Sequence, residues 1–284
     1  MPVSLSRAAL VAAAITFVTS VSSFAQQRPL LTEDPESIGA GRVLLEGGVD
    51  ITRGERYPVS GLEGNLLRLP TLGVSIGLSS IAELQIDGGV YDRLAITSRK
   101  TAPLSSLLTV TGTETHDVSD LVIGTKIRLV GEAPGRPAIG LRFATKLPNA
   151  SNESGLGLDT TDFYASLLAA KSVQSLRVVG NIGFGILADP TLGNRQNDLL
   201  TYGASVARAV TSRAELVGEI NGRASTRSAG ALPGTESKSR LTLGARFTTG
   251  SARVDGGVLL GLMGGPTIGV SAGVTYVFNA FQVP

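Results

Sequence analysis

The sequence contains no cysteine and no tryptophan, a single histidine, and only 5% aromatic residues over 284 positions. Without thiols there is no disulfide, no thiolate metal site, no catalytic thiol, and no lipid-anchoring cysteine after a bacterial signal. The lone histidine, His116, could serve a hydrolase only beside a serine such as Ser105 or Ser119, with a third group to orient it. No spacing marks such a nucleophile, and a solvated histidine at a loop-to-strand junction accounts for it. Charged residues make up 17%, below the roughly one quarter usual in soluble domains. Basic and acidic residues are interspersed and the net charge is +2, so no basic stripe suits nucleic acid. Glu153, Asp159 and Asp162 lack the spacing of a calcium loop. The glycines at 180, 183, 256 and 257 lie in strand patterns with no helix following, which excludes a phosphate-cradling turn. No catalytic, metal-binding or cofactor-binding set is expected.

Long hydrophobic runs are also missing. After the N-terminus no apolar stretch reaches the about 20 residues of a spanning helix, although mean hydropathy is +0.23. Lipid-facing residues spread one in two along strands reconcile these facts. A soluble β-sandwich alternates too, so alternation alone does not decide.

Residues 1–25 read as a cleaved secretory signal. Arg7 is the positive region, residues 8–18 are the short apolar stretch, and Ser23-Phe24-Ala25 places small residues at the cleavage positions. Residues 26–41, with Pro29 and Pro35, read as a periplasmic tail. From Arg42 onward period-two segments recur: 42–51, 69–78, 81–91, 121–129, 138–147, 162–171, 176–187, 200–210, 213–223, 240–248, 252–262 and 267–278. Each is near the length of a tilted membrane strand. Short connections alternate with long ones, notably 52–65, 92–116, 148–161, 188–198 and 224–237. This is the pattern of short periplasmic turns and longer outer loops. The expected fold is all-β: a closed antiparallel transmembrane barrel of about 12 strands spanning residues 42–284.

Within each segment one face is apolar and the other charged. Residues 81–91 place Ala82, Leu84, Ile86 and Val90 on one side, with Glu83, Gln85, Asp87 and Tyr91 on the other. Phe143, Phe163, Phe184, Tyr202 and Phe247 are the lipid-facing aromatics. The expected lumen-lining bases are Arg42, Lys126, Arg128, Arg142, Lys146, Arg177, Arg213, Arg223, Arg246 and Arg253. The acids are Glu46, Asp50, Glu83, Asp87, Asp120, Asp162, Glu215, Glu219 and Asp255. Two readings stay open: a polar filter built from charged side chains, or a paired network that fills a narrow barrel. Near balance of sign favours pairing.

Several segments resemble a family of outer-membrane proteins named for the MetA pathway of phenol degradation. Residues 117–129, DVSDLVIGTKIRL, resemble its Gly-Asp-x-x-x-Gly-x-Lys strand, with Ser119 in place of the glycine. Residues 139–150, IGLRFATKLPNA, resemble its strand closing in Lys-Leu-Pro. Residues 155–171, GLGLDTTDFYASLLAAK, resemble its Gly-x-Gly loop followed by Asp-Phe, and residues 181–184 its Asn-x-Gly-aromatic element. The matches keep one order and cover the middle third of the chain. The resemblance implies a channel or passive transporter for small solutes, aromatic or otherwise hydrophobic. It brings no catalytic residues. A non-conducting barrel serving as adhesin, receptor or envelope anchor is the alternative. Expected partners are outer-membrane lipid, a small-molecule solute, and the barrel-assembly machinery, which reads a terminal strand ending here in Tyr276 and Phe278.

Overall fold

The computed structural model describes residues 28–227, 231–265 and 267–282. The expected signal peptide, residues 1–25, lies outside them. The strands are β1 (Arg42–Tyr57), β2 (Leu62–Gly77), β3 (Ala82–Gly89), β4 (Asp92–Arg99), β5 (Glu114–Asp117), β6 (Leu121–Val130), β7 (Ala138–Leu147), β8 (Asp162–Val173), β9 (Leu176–Ala188), β10 (Gln196–Ala209), β11 (Ala214–Ser225), β12 (Lys238–Thr249), β13 (Ala252–Met263) and β14 (Ile268–Asn279). One antiparallel sheet holds all of them, and β1 pairs with both β2 and β14. The sheet therefore closes through β1, while among the described strands the short β5 pairs with β4 alone.

β2 pairs with β4 along its first half and with β3 along its second, while β3 pairs with β6 and β4 with β5. The β3–β4 and β5–β6 runs are thus two interrupted staves, and the barrel has twelve. Short turns, β1's start and β14's end share one rim. The connections 58–61, 100–113, 148–161 and 189–195 share the other, with the described residues of 226–237 and 264–267.

The wall follows from the alternation. In β11, Glu219 and Val217 are buried while Leu216 and Ile220 are exposed. The same outward apolar row continues as Leu243 and Phe247, Val254 and Val258, Val270 and Val274, and Leu45 and Ile51. The aromatics Phe143, Phe163, Phe184 and Phe247 are exposed on it. Tyr276 and Phe278 stack there with centroids 5.9 Å apart.

Three expectations need correction. Residues 52–65 are not a long loop: β1 and β2 continue as a tall hairpin whose tip is residues 58–61. Residues 92–116 are not a plain loop, because they contain β4 and most of β5. Tyr91, expected inward, faces out and is exposed. The stave breaks at Val90 and Tyr91, so the inward series 83, 85, 87 resumes at Asp92 rather than at position 91.

Candidate functional site: the barrel interior and its collar

Residues 28–41, expected as a periplasmic tail, run inside the barrel. The Arg28 carbonyl accepts the Arg246 Nε of β12 at 2.8 Å. The backbone N–H groups of Leu31 and Thr32 donate to the Glu219 carboxylate of β11 at 2.8–2.9 Å, and the Thr32 hydroxyl does so at 2.7 Å. Glu33 exchanges two hydrogen bonds with the Asn181 amide of β9, at 2.6 and 2.7 Å. Asp34 takes the Arg177 guanidinium of β9 through both oxygens, each at 2.7 Å. Glu36 meets Arg128 of β6, and the Ile38 N–H donates to Glu83 of β3 at 2.7 Å. The Gly41 N–H reaches the Gly77 carbonyl of β2 at 2.9 Å.

These partners advance round the wall in sheet order, from β12 to β2. Only a segment within the barrel can touch strands through nearly the whole circumference. The Arg28 side chain covers the remaining arc, reaching Thr71 of β2 at 2.9 Å, Asp50 of β1 at 3.4 Å and Asp255 of β13 at 3.7 Å. The segment is therefore a collar that follows the wall. Leu31 is tied to Glu219 through its backbone yet is 55% exposed. Its side chain points away from the wall toward space that solvent reaches.

Inward glycines make the seat. A methyl at Gly273 would lie 2.4 Å from Arg28 Nε, and one at Gly244 would lie 2.9 Å from Pro29. At Gly203 it would meet Thr32 at 2.8 Å, at Gly140 Pro35 at 3.0 Å, and at Gly77 the Gly39 carbonyl at 1.8 Å. Glycine within a strand often marks close backbone approach, and here the approaching chain is the collar.

The charges divide into two sides. On β3, β6, β7 and β9, Lys126 lies 3.0 Å from Glu83 and 3.6 Å from Glu33, and Arg142 lies 3.0 Å from Glu33 and 3.8 Å from Asp87. Lys126 is 1% exposed and Glu83 0%. Opposite, on β1, β11, β12 and β13, Glu46, Asp50, Glu215, Glu219 and Asp255 surround Arg246 and Arg253. There Arg246 lies 3.8 Å from Glu215 and Glu46 accepts the Thr275 hydroxyl at 3.3 Å. Arg253 and Asp255 are buried with side-chain atoms that meet no hydrogen-bond partner. The collar complements both sides, with Arg28 against the acids and Glu33, Asp34 and Glu36 against the bases.

Nearer the long-loop rim, Lys146 bridges Asp120 at 2.9 Å and Asp162 at 3.2 Å. Arg223 donates to the backbone carbonyls of Gly234 and Glu236. Arg42 opens β1 and is half-buried. Arg213 is not on a strand: β11 begins at Ala214, and Arg213 is exposed in the preceding turn. His116 is exposed and stacks near Tyr91 at 5.9 Å, whereas Ser119 donates to Asp92 at 2.8 Å. No group of three or more metal-ligating side chains occurs among the described residues.

Glu132, in the connection 131–137 at the short-turn rim, steadies Arg177 from the other side at 2.6 Å. Burial alone would raise its carboxyl. The Ser172 backbone N–H, Lys171 and Arg177 outweigh that and hold it at about 2, against an ordinary 4.5.

On the β2–β4 side of the long-loop rim the interior carries an apolar cluster. Leu62, Leu66 and Leu94 form a buried cluster with Tyr57, Ile96, Leu108 and Leu156. The loops carrying Leu108 and Leu156 are tied over it. The Ser60 hydroxyl donates to the Gly155 carbonyl at 2.8 Å, and Thr115 to the Ser154 carbonyl at 2.8 Å.

A closed wall with an apolar outer face satisfies its backbone inside hydrocarbon. The chain is a bacterial outer-membrane barrel. No protein-family model and no curated protein matches the sequence, so the MetA-pathway resemblance rests on the quoted motifs. Among solved structures, the barrel is similar to the COG4313 outer membrane channel from Pseudomonas putida F1. The TM-score is 0.61 at 14% identity, covering 86% of this chain and 98% of that one. It is also similar to the translocator domain of the autotransporter NalP from Neisseria meningitidis. There the TM-score is 0.51 at 14% identity, covering 84% and 89%. The likeness is one of fold.

Sequence reasoning missed Glu33, Asp34 and Glu36. The one available signal was an acidic run between Pro29 and Ile38, facing a barrel whose buried bases needed partners.

Proposed function

We propose that this barrel is a passive outer-membrane channel for small solutes, with the collar at its constriction. The observation that carries this reading is Leu31, anchored to the inner wall and 55% open to solvent. A packed plug would bury it. The buried polar atoms of Arg253 and Asp255 that have no hydrogen-bond partner add interior groups that call for water. The channel named in the fold neighbour from Pseudomonas putida agrees with this use of the fold. The aromatic or hydrophobic solute is what the family resemblance implies, and the cluster around Leu62, Leu66 and Leu94 would meet it only once the loops over it part.

The charged residues expected in the lumen are read here as both network and filter: most are paired, and the collar supplies many of the partners. We read β14, which carries Tyr276 and Phe278, as the strand that the barrel-assembly machinery takes.

Single-channel recording in planar bilayers tests the proposal. The expected result is a small, steady conductance that rises in Leu31→Gly and falls in Leu31→Trp. Silence in all three proteins at every voltage overturns it. A second reading, a closed barrel acting through its outer loops, is favoured by the loop packing over the apolar layer. It expects that silence, together with normal membrane insertion.

A further inference from the structure

The collar is a ligand that the barrel already holds, and its contacts report what the wall binds. Four inward bases, Lys126, Arg128, Arg142 and Arg177, each contact a collar carboxylate. Arg177 does so through the two-point fork that suits a carboxylate. Gln85 adds an amide donor to Glu33 at 3.3 Å. We propose that these bases form a carboxylate-binding site, filled at rest by Glu33, Asp34 and Glu36. Organic carboxylates are the solutes that take their place as the collar yields.

Wall geometry narrows the ligand class. The bases also contact Glu83, Asp87 and Glu132. With the collar out, the bases outnumber these acids by one. That matches a weakly hydrated monoanion and leaves the second charge of a phosphate dianion uncompensated. Acids on the opposite wall, Glu46, Asp50, Glu219 and Asp255, push an anion toward the β6–β9 side. The apolar cluster above is buried under its loops and would take a hydrocarbon body only as those loops part, and an aromatic acid then matches both regions. Passage of such a solute rests on the channel reading, whereas binding at the four bases does not.

Two variants test it. One deletes residues 28–38. The other, Glu33→Gln with Asp34→Asn and Glu36→Gln, keeps the collar's shape and removes its charge. In detergent, calorimetry on the deleted barrel should show uptake of a peptide of sequence RPLLTEDPESI. The same peptide with amides at its three acids should bind at least about tenfold more weakly. In bilayers under a potassium chloride gradient, the triple-amide barrel should shift its reversal potential toward that of chloride, and benzoate should carry current better than phosphate. Equal binding of the two peptides overturns the site, as does unchanged selectivity in a conducting triple-amide barrel. If the deleted barrel does not fold, the triple-amide recordings decide. If no form conducts, the channel reading fails and the peptide titration still decides the site.

Discussion

The barrel has a membrane belt and a crown above it, and the two obey opposite patterns. In the belt, charge faces in and hydrocarbon side chains face out, as with Glu219 beside Ile220 or Lys126 beside Ile127. In the crown, formed by the β1–β2 hairpin, β4 and β5, the pattern inverts. Leu62, Leu66 and Leu94 face in. Arg93, Glu114 and His116 are exposed outside, with Arg56 and Glu63 paired at 3.2 Å. The solvent explains the inversion. Lipid outside the belt demands apolar side chains there, whereas water outside the crown leaves burial against loops as the only use for leucine. Each region also closes its interior differently: the belt with the extended collar on ion pairs, the crown with loops on an apolar cluster.

The largest effect should come from breaking the belt's anchor. Arg177→Ala strands the buried Asp34 carboxylate, and a buried pair broken on one side costs about 3–5 kcal/mol. Urea unfolding followed by heat-modifiable gel migration should show the loss, and bilayer recording should show a wider channel. Leu94→Ala should come next, at about 2–5 kcal/mol, because Leu94 is 0% exposed. This variant should loosen the crown and leave the collar's constriction unchanged. In the double variant the two losses should add if belt and crown are independent, and a clear departure from additivity would dissolve the comparison.

The rim beneath Arg177 gives a smaller, pH-dependent effect. Glu132 is held at about 2 when folded, against 4.5 ordinarily. Its carboxylate therefore contributes stability above pH 4.5, lost as pH falls from there toward 2. Glu132→Gln should be less stable than the parent at pH 7, with the gap closing across that window in a urea titration. The smallest effect belongs to the crown's outer face. Arg93 and Glu114 form an exposed pair, and Arg93→Ala should leave the unfolding midpoint where it was, since exposed pairs contribute little.

Much of the belt is legible in the alternation alone. Residues 138–147 coincide with β7, and the expected inward positions 46, 83, 126, 177 and 219 all carry interior contacts. The crown escaped because its inversion breaks the rule that served below: Asp92-Arg93-Leu94 reads as a loop when hydrocarbon is expected outside. The collar escaped for another reason. A segment with Pro29 and Pro35 and no strand period offers no local sign of where it rests, and each glycine that seats it looks like any other glycine in a strand.

The sequence by itself determined the staves and, in the belt, which face of each meets lipid. A period-two pattern records both faces within a few neighbouring residues, and the hydrocarbon outside enforces it at every step. Only the tertiary structure decided what fills the space inside. Asp34 and Arg177 are 143 positions apart, and Thr32 and Glu219 are 187 apart. No local pattern links such pairs. Closing the ring sets the width and the charge map of the interior, and those select the segment that lines it.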